Sequence, residues 1–311
     1  MQNTCQRLPI LLSDCPVIGR TITEADMSTP LFIVRTEREL RARIWEWRGS
    51  GERIGFVPTM GALHSGHLSL VKHAKKHADK IVASIFVNPT QFAEGEDLGT
   101  YPRQEKKDVA LLKSVGCDLI YIPKPGSMYG PAHSTTINVG GAALGLETDH
   151  RPHFFGGVAL IVTKLLNRVQ PDIAVFGKKD YQQLLTIRKM TADLDMPVRI
   201  LGAPIIREPD GLAMSSRNAY FDKKSRKIAG QLNIIMKACT ASITDGTPVD
   251  EACNTAEQKL IKAGFDSVDY VAAADRADLS LLSGKLSGQK ARLLIAATCA
   301  GVRIIDNCDI E

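Results

Sequence analysis

Two histidines three residues apart, His64-Ser-Gly-His67, follow directly on an apolar segment that reads as a strand. The spacing puts both imidazoles at the point where a strand hands over to a helix. A helix start offers unpaired backbone N–H groups and the positive end of a dipole, both suited to an anion. Each imidazole can add an N–H to a phosphate oxygen, and Gly66 lets that phosphate approach the backbone. The competing readings are a capping pair without function and a zinc site, but neither cysteine nor carboxylate stands at ligand spacing. His73 and His77, at i and i+4, lie among Lys72, Lys75, Lys76 and Lys80 and read as a solvated face.

Two more apolar segments end in polar turns. One leads into Asn88-Pro-Thr-Gln91 and the other into Gly177-Lys178-Lys179-Asp180-Tyr-Gln-Gln183. Each alone is ordinary turn chemistry. Together with the histidines they bring polar turns to one edge of a sheet, as a small-molecule crevice requires. The carboxamides of Gln91 and Gln183 suit a hydroxyl or carboxylate, and Lys179 is a point charge suited to phosphate. Met214-Ser215-Ser216-Arg217 sets two hydroxyls and a guanidinium in a loop, suited to clamping a polyphosphate; alone it reads as a surface turn. Arg151, before His153, could hold a carboxylate. Tyr101-Pro-Arg103 is ambiguous, because Arg103 also fits a helix cap. There is no Gly-x-Ser-x-Gly elbow, Walker A loop or Gly-x-Gly-x-x-Gly fingerprint, so hydrolase, P-loop and dinucleotide readings lose support.

These turns need strands and helices to hold them. Strands are expected over 31–34, 53–57, 81–87, 118–122, 172–176, 198–201 and 204–207, with short strands around 135–139. Helices are expected from Thr36, whose Thr36-Glu-Arg-Glu39 is a capping box, after His67, and over 104–115, 158–169 and 181–194. Strand Ile81–Val87 carries no charge, as befits a central parallel strand covered on both faces. The alternation argues an α/β protein with a doubly wound parallel, Rossmann-like sheet. After Glu208-Pro-Asp-Gly211 the texture changes. Helices over 222–243 and 249–263, then strands over 268–273 and 292–297, imply a smaller C-terminal α+β domain. The expected organisation is a flexible extension over 1–28, a first domain over 29–205 and a second over 206–311.

Composition sets the outer limits. Of 311 residues, 44% are hydrophobic and 23% charged, with a net charge of +5. That bias suits an anionic small molecule more than a nucleic acid, for which aromatic content of 5% is also low. The seven cysteines form no CxxC pair, which favours reduced thiols in a cytoplasmic protein. No run approaches the roughly 18–20 apolar residues of a membrane helix, and the N-terminus lacks the pattern of a secretory signal.

Taken together, Pro58-Thr-Met-Gly-Ala-Leu-His-Ser-Gly-His67, Ser84-Ile-Phe-Val-Asn-Pro-Thr-Gln-Phe92, Tyr101-Pro-Arg103, Val175-Phe-Gly-Lys-Lys-Asp-Tyr-Gln-Gln183, Asp210-Gly-Leu-Ala-Met-Ser-Ser-Arg217 and Ile305-Asp-Asn307 resemble the pantoate–β-alanine ligase family, within the HIGH-motif nucleotidyltransferases. The resemblance runs collinearly over residues 30–311. It implies that ATP and (R)-pantoate give a bound pantoyl adenylate and pyrophosphate, and that β-alanine then displaces AMP to give pantothenate. It implies that Met60, Gly61, Ala62, Leu63, His64, Ser65, Gly66 and His67 line the ATP site, with Gly177, Lys178, Lys179, Asp180, Ile206, Met214, Ser215, Ser216 and Arg217. It places Gln91, Gln183, Pro58, Met60 and Arg151 on pantoate, and Gln91 beside β-alanine. It implies Mg²⁺ on the triphosphate, with no protein metal ligand assigned. It also implies a cytoplasmic homodimer whose C-terminal domain is a lid. His64, His67, Lys179 and Arg217 would be catalytic. The family assigns His67 as proton donor; the residues themselves suggest that both histidines donate hydrogen bonds to charge building on phosphate. One departure stands out: many members carry histidine where this chain has Phe154, with His153 one place early. A same-class alternative is an adenylyltransferase making a dinucleotide or dephospho-coenzyme A, against which Gln91 and Gln183 argue. A nucleic-acid-binding module is the alternative of a different class.

Overall fold

The computed structural model describes residues 30–93 and 95–311; the extension expected over 1–28, with Cys5 and Cys15, lies outside the described residues. Strands β1 (Phe32–Val34), β2 (Ile54–Thr59), β3 (Lys80–Ile85), β4 (Leu119–Tyr121), β5 (Ile173–Gly177) and β6 (Arg199–Ala203) form one sheet in the order β1-β4-β3-β2-β5-β6. Every pairing in it is parallel. Intervening helices are α1 (Glu37–Gly49), α2 (Ser65–Ala74), α3 (Glu105–Ser114), short α4 (Pro125–Met128) and α5 (Glu147–His150), α6 (Phe154–Val169) and α7 (Tyr181–Asp193).

Alternate residues of each strand go to opposite cores, the period-2 geometry of a strand buried on both faces. Phe56, Val82, Leu119, Tyr121, Ala174 and Phe176 pack with Leu40, Ile44 and Trp47 of α1 and with the apolar stripes of α6 and α7. Their neighbours Val57, Ala83, Ile120 and Val175 pack with Leu70, Val71 and Ala74 of α2 and Leu112 of α3. The capping box at Thr36 and Glu39 forms as the sequence implied.

The C-terminal part consists of α8 (Lys223–Thr244), α9 (Val249–Ala263) and an antiparallel sheet, β7 (Ser267–Asp275), β8 (Ala291–Cys299) and β9 (Val302–Ile310). The two helices cover one face. Ala274, Leu279 and Leu294 join the large core of the parallel sheet. Residues 31–311 make one compact unit.

Three expectations need correction. No strand forms at 135–139; Ile137 and Val139 pack against the core without a ladder partner. Residues 204–207 carry a single bridge, Arg207 to Ala213, in place of a strand. The strand β9 was not expected. Its hairpin turns on Ala300 and Gly301, both with positive φ (48° and 74°), a turn whose common signature is Asn-Gly or Asp-Gly. Ala-Gly hid it.

Candidate active site

The strand order reverses between β2 and β5. From β2 the chain runs out through β3 and β4, whereas β5 continues to β6 on the other side. Ligands in open α/β sheets bind at such a point, beyond the carboxyl ends of the strands. Here β2 delivers His64 and His67, β3 delivers Asn88 and Gln91, and β5 delivers Lys178, Lys179 and Asp180.

His64 is the N-cap of α2, and its Nδ1 accepts from the Gly66 N–H at 3.1 Å. His67 Nδ1 accepts in return from the His64 N–H at 3.4 Å. The rings lie 4.2 Å apart. A Cβ on Gly66 would sit 2.7 Å from the His64 ring, so glycine is what lets the ring fold over the first turn. Because each Nδ1 is an acceptor, each ring carries its proton on Nε2, leaving two N–H donors for other partners. Burial first, then Lys179, lowers the His64 pKa to about 4 against weaker opposition from Glu208 and Asp180. Burial, His64 and Lys179 lower that of His67 to about 3. Both are therefore neutral at physiological pH, able to donate a hydrogen bond without carrying charge.

Met60 is half-buried, Gly61 takes φ +86° and Ala62 takes φ +51°. The Ala62 and Leu63 N–H groups donate to Asp108, so this part of the motif is held from behind. Pro58 lies in β2. Ser65 Oγ meets Met214 Sδ at 2.9 Å and Ser216 Oγ donates to the Ala62 carbonyl at 3.0 Å, which docks the 214–217 loop on the start of α2. The Met214 N–H donates to the Ile206 carbonyl, and Ser215 Oγ accepts from the Arg217 N–H. The Arg217 guanidinium forms a fork with Asp97, at 3.1 and 2.8 Å. Burial opposes its charge, yet Asp97 holds its pKa above the ordinary value.

Lys179 Nζ stands 3.6 Å from Asp180. Its turn is fixed by Asn307 of β9, whose Nδ2 donates to the carbonyls of Lys178 (3.1 Å) and Lys179 (2.6 Å). Asp306 beside it accepts two bonds from Arg207, at 2.6 and 3.0 Å. The adjacent glutamines divide sharply. Gln182 is buried, accepts from the Glu147 N–H and donates to the carbonyls of Leu144 and Gly145. Gln183 has no hydrogen-bond partner among the described residues and lines a small cavity with Lys179, Asp180, Glu147, Tyr270 and Asn307.

On β3's side, Asn88 is structural: it donates to the Gly157 carbonyl and accepts from Tyr129 and Thr90. The Gln91 carboxamide has no partner among the described residues, although the residue is 9% exposed. Arg151 reaches the Gln91 carbonyl at 3.0 Å, Glu96 at 2.9 and 2.7 Å and Glu147 at 3.1 Å. Most of its fork is thus spent on protein, and it holds Gln91 in place. Glu147 is in turn gripped by Arg303 with two 2.8 Å bonds. Phe154 stacks under Arg151, 4.1 Å from the guanidinium; His153 Nε2 is buried with no partner among the described residues.

Sequence reasoning gave no role to Asp97, Asp108, Glu147, Asp306 or Asn307. Only Ile305-Asp-Asn307 carried a signal, as part of a shared motif. Asp97 and Asp108 look like ordinary loop and helix-surface charges until the chain is folded.

The family model for pantoate–β-alanine ligase matches residues 32–309. The chain is 48% identical to the pantothenate synthetase of Caulobacter vibrioides over 90% of its own length and 99% of that protein. It is 49% identical to that of Mesorhizobium japonicum, over 91% and 99%. Among solved structures, the Thermus thermophilus pantothenate synthetase superposes with a TM-score of 0.83 at 41% identity, covering 90% of this chain and 99% of that one. A Francisella tularensis pantoate–β-alanine ligase, solved in complex with a β,γ-form of ATP and β-alanine, superposes with a TM-score of 0.75 at 32% identity over 90% and 98%.

Proposed function

The chain belongs to the pantoate–β-alanine ligase family, and from that premise we propose how its own residues join pantoate to β-alanine at the expense of ATP. In the first step a pantoate carboxylate oxygen attacks the α-phosphorus of ATP and the bond to pyrophosphate breaks. In the second the β-alanine amine attacks the acyl carbon of pantoyl adenylate and AMP leaves, giving pantothenate.

What supports this reading is that two donor sets stand beyond the ends of the adjacent parallel strands β3, β2 and β5. One set is the Nε2–H groups of His64 and His67, whose Nδ1 atoms are already engaged, with Lys179 near both. The other is the carboxamides of Gln91 and Gln183. The first set suits phosphate and charge that develops during displacement. The second suits a hydroxy-acid, whose carboxylate and hydroxyls need neutral partners of fixed direction. The loop Met214–Arg217, together with Ile206 and residues 177–180, closes around the nucleotide. Arg217 exchanges Asp97 for the triphosphate. Arg151 orients Gln91, beside which β-alanine enters.

Among the described residues no group of three or more His, Cys, Asp or Glu side chains could hold a metal ion. Mg²⁺ bound to the triphosphate would supply charge neutralisation there, and Lys179 would add its own positive charge beside it. We assign residues 206–311 as a lid, with Asn307 carrying its contact to the Lys179 turn, and the protein as a cytoplasmic homodimer. No described helix is long and apolar enough to cross a membrane.

ATP–pyrophosphate exchange tests the reading. Exchange that requires pantoate and proceeds without β-alanine is expected. Folded protein that exchanges equally without pantoate, or not at all, would refute it.

A further inference from the structure

We propose that Asp108 is a positioning residue of this reaction, whose carboxylate sets the loop that aims His64 and His67. The proposal rests on the ligase reading for its kinetic part and on geometry for the rest. Asp108 sits in α3, a helix that contributes nothing else to the crevice, and is 1% exposed. Its two oxygens take two successive backbone N–H groups, Leu63 to Oδ1 at 2.8 Å and Ala62 to Oδ2 at 3.0 Å. Among the described residues it has no Lys or Arg partner.

Burying a carboxylate is costly unless hydrogen bonds stabilise the charged form. The chain offsets that cost with a small anion-binding concavity. Gly61 and Ala62 both take left-handed φ, +86° and +51°. In this turn the neighbouring N–H groups of residues 62 and 63 converge on one point, and converging N–H groups in a turn suit an anion. Here the point is filled from within. These N–H groups are therefore unavailable to ATP, so the place along it that the resemblance implies for Ala62 and Leu63 would fall to their other atoms.

What the carboxylate gains is direction. Leu63 leads straight to His64, the N-cap of α2, whose Nδ1 is committed to Gly66 and whose N–H is committed to His67. Fixing the N–H groups of residues 62 and 63 fixes the entry of the chain into this reciprocal cap, and so the outward Nε2–H of both rings. Left-handed backbone at Ala62 is unfavourable for a residue with a Cβ, and the Asp108 bonds hold it there. Gly61 is fitted to the same point: a Cβ on it would lie 3.1 Å from Asp108 Oδ2 and 3.2 Å from Ile85.

Asp108→Asn is nearly isosteric but presents one acceptor and one NH₂ to two N–H donors, so one bond becomes a repulsion. The variant is labelled with ¹⁵N-histidine and compared with wild type by NMR, with single His64→Gln and His67→Gln proteins identifying the resonances. Wild type is expected to show protonated Nε2 and unprotonated Nδ1 at both rings, and Asp108→Asn to show mixed tautomers. The pantoate-dependent exchange rate should fall about 10- to 100-fold, as an ångström-scale misplacement does, while KM for pantoate stays within about twofold. A thermal scan confirms that the variant is folded. If it is not, Gly61→Ala, which presses on the same carboxylate from the loop side, should give the same two signatures. Unchanged histidine tautomers, or an exchange rate near wild type, would overturn the proposal. Should wild type itself show no exchange, the ligase reading fails, and the histidine spectra still decide the positioning role.

Discussion

Gly157 offers the sharpest test of how closely the fold holds the acyl-substrate side. It lies in the first turn of α6, where the helix meets the turn that carries Gln91. A Cβ built there would stand 2.3 Å from the Thr90 carbonyl oxygen, 2.7 Å from its carbon and 3.0 Å from Thr90 Oγ1, where ordinary contacts begin at 3.4 Å. In Gly157→Ala the helix and the turn must therefore separate by about 1 Å, because a packed backbone does not yield as a flexible side chain does. Two effects on stability oppose one another. Overpacking costs about 1–3 kcal/mol, while alanine in a helix recovers up to about 1 kcal/mol relative to glycine. The net loss is on the order of 1 kcal/mol, a few degrees in Tm, and the protein stays folded. Function suffers more. Thr90 is bonded to Gln91 along the chain, and the Gly157 carbonyl holds Asn88 at 3.2 Å. Displacing both by about 1 Å should lower kcat/KM for pantoate roughly 10²-fold, with KM for ATP little changed. Initial rates at varied pantoate and a calorimetric scan measure both quantities. Wild-type kcat/KM at wild-type Tm would show that the contact is not as tight as described or that Gln91 does not meet pantoate.

The neighbouring glutamines should separate cleanly: Gln182→Ala loses three buried or part-buried hydrogen bonds and about 1–3 kcal/mol of stability, whereas Gln183→Ala keeps its Tm and raises KM for pantoate well above that for ATP. His67→Ala should slow adenylation by about 10²–10³, read as exchange rate. The histidines also make stability depend on pH. Unfolded, both titrate near 6.5; folded, burial holds them near 4 and 3. Below about 6.5 the unfolded chain binds more protons, so their contribution is complete above that pH and is lost as it falls toward 4. Tm should drop between about pH 7 and 5, and less so in His64→Gln/His67→Gln. Asp97→Asn, which removes the carboxylate competing with ATP for Arg217, should lower KM for ATP about two- to fivefold, since a partly exposed pair is worth about 1 kcal/mol or less.

The parallel sheet was legible because its strands are buried on both faces and read as short apolar runs between turn signals. The candidate site was legible where it stands on strand ends: His64, Gln91 and Lys179 each lie within a few residues of one. The rest depends on contacts far apart in the chain. Asp108 reaches back 46 residues to Ala62, and Asn307 reaches 128 residues to Lys179. No local pattern distinguishes such an aspartate from a solvated one. Arg151 shows a second kind of contact hidden from the sequence. A guanidinium near a substrate-like crevice suggests a carboxylate ligand, but Glu96 and Glu147 were there first, and neither shows as a partner in sequence.

Burial is the main reason that the histidines are neutral, and Lys179 adds to it at both. Arg151, Arg207, Arg217 and Arg303 all line or back the crevice, and each meets at least one carboxylate. Arg217 must first give up Asp97, whereas the partner of Lys179, Asp180, is itself 45% exposed on its side chain and so only weakly compensating. Protonating His64 or His67 would put a second positive charge beside Lys179 in a partly water-excluded site before any phosphate had entered, and burial alone already opposes it. In the proposed reaction Lys179 attracts the triphosphate, and the two imidazoles supply N–H groups at no cost in charge. Such donors bind the displacement more strongly than the ground state only if they point to where charge develops. Their aim then matters more than their acidity, which is why a buried aspartate on another helix is spent on holding the loop that carries them.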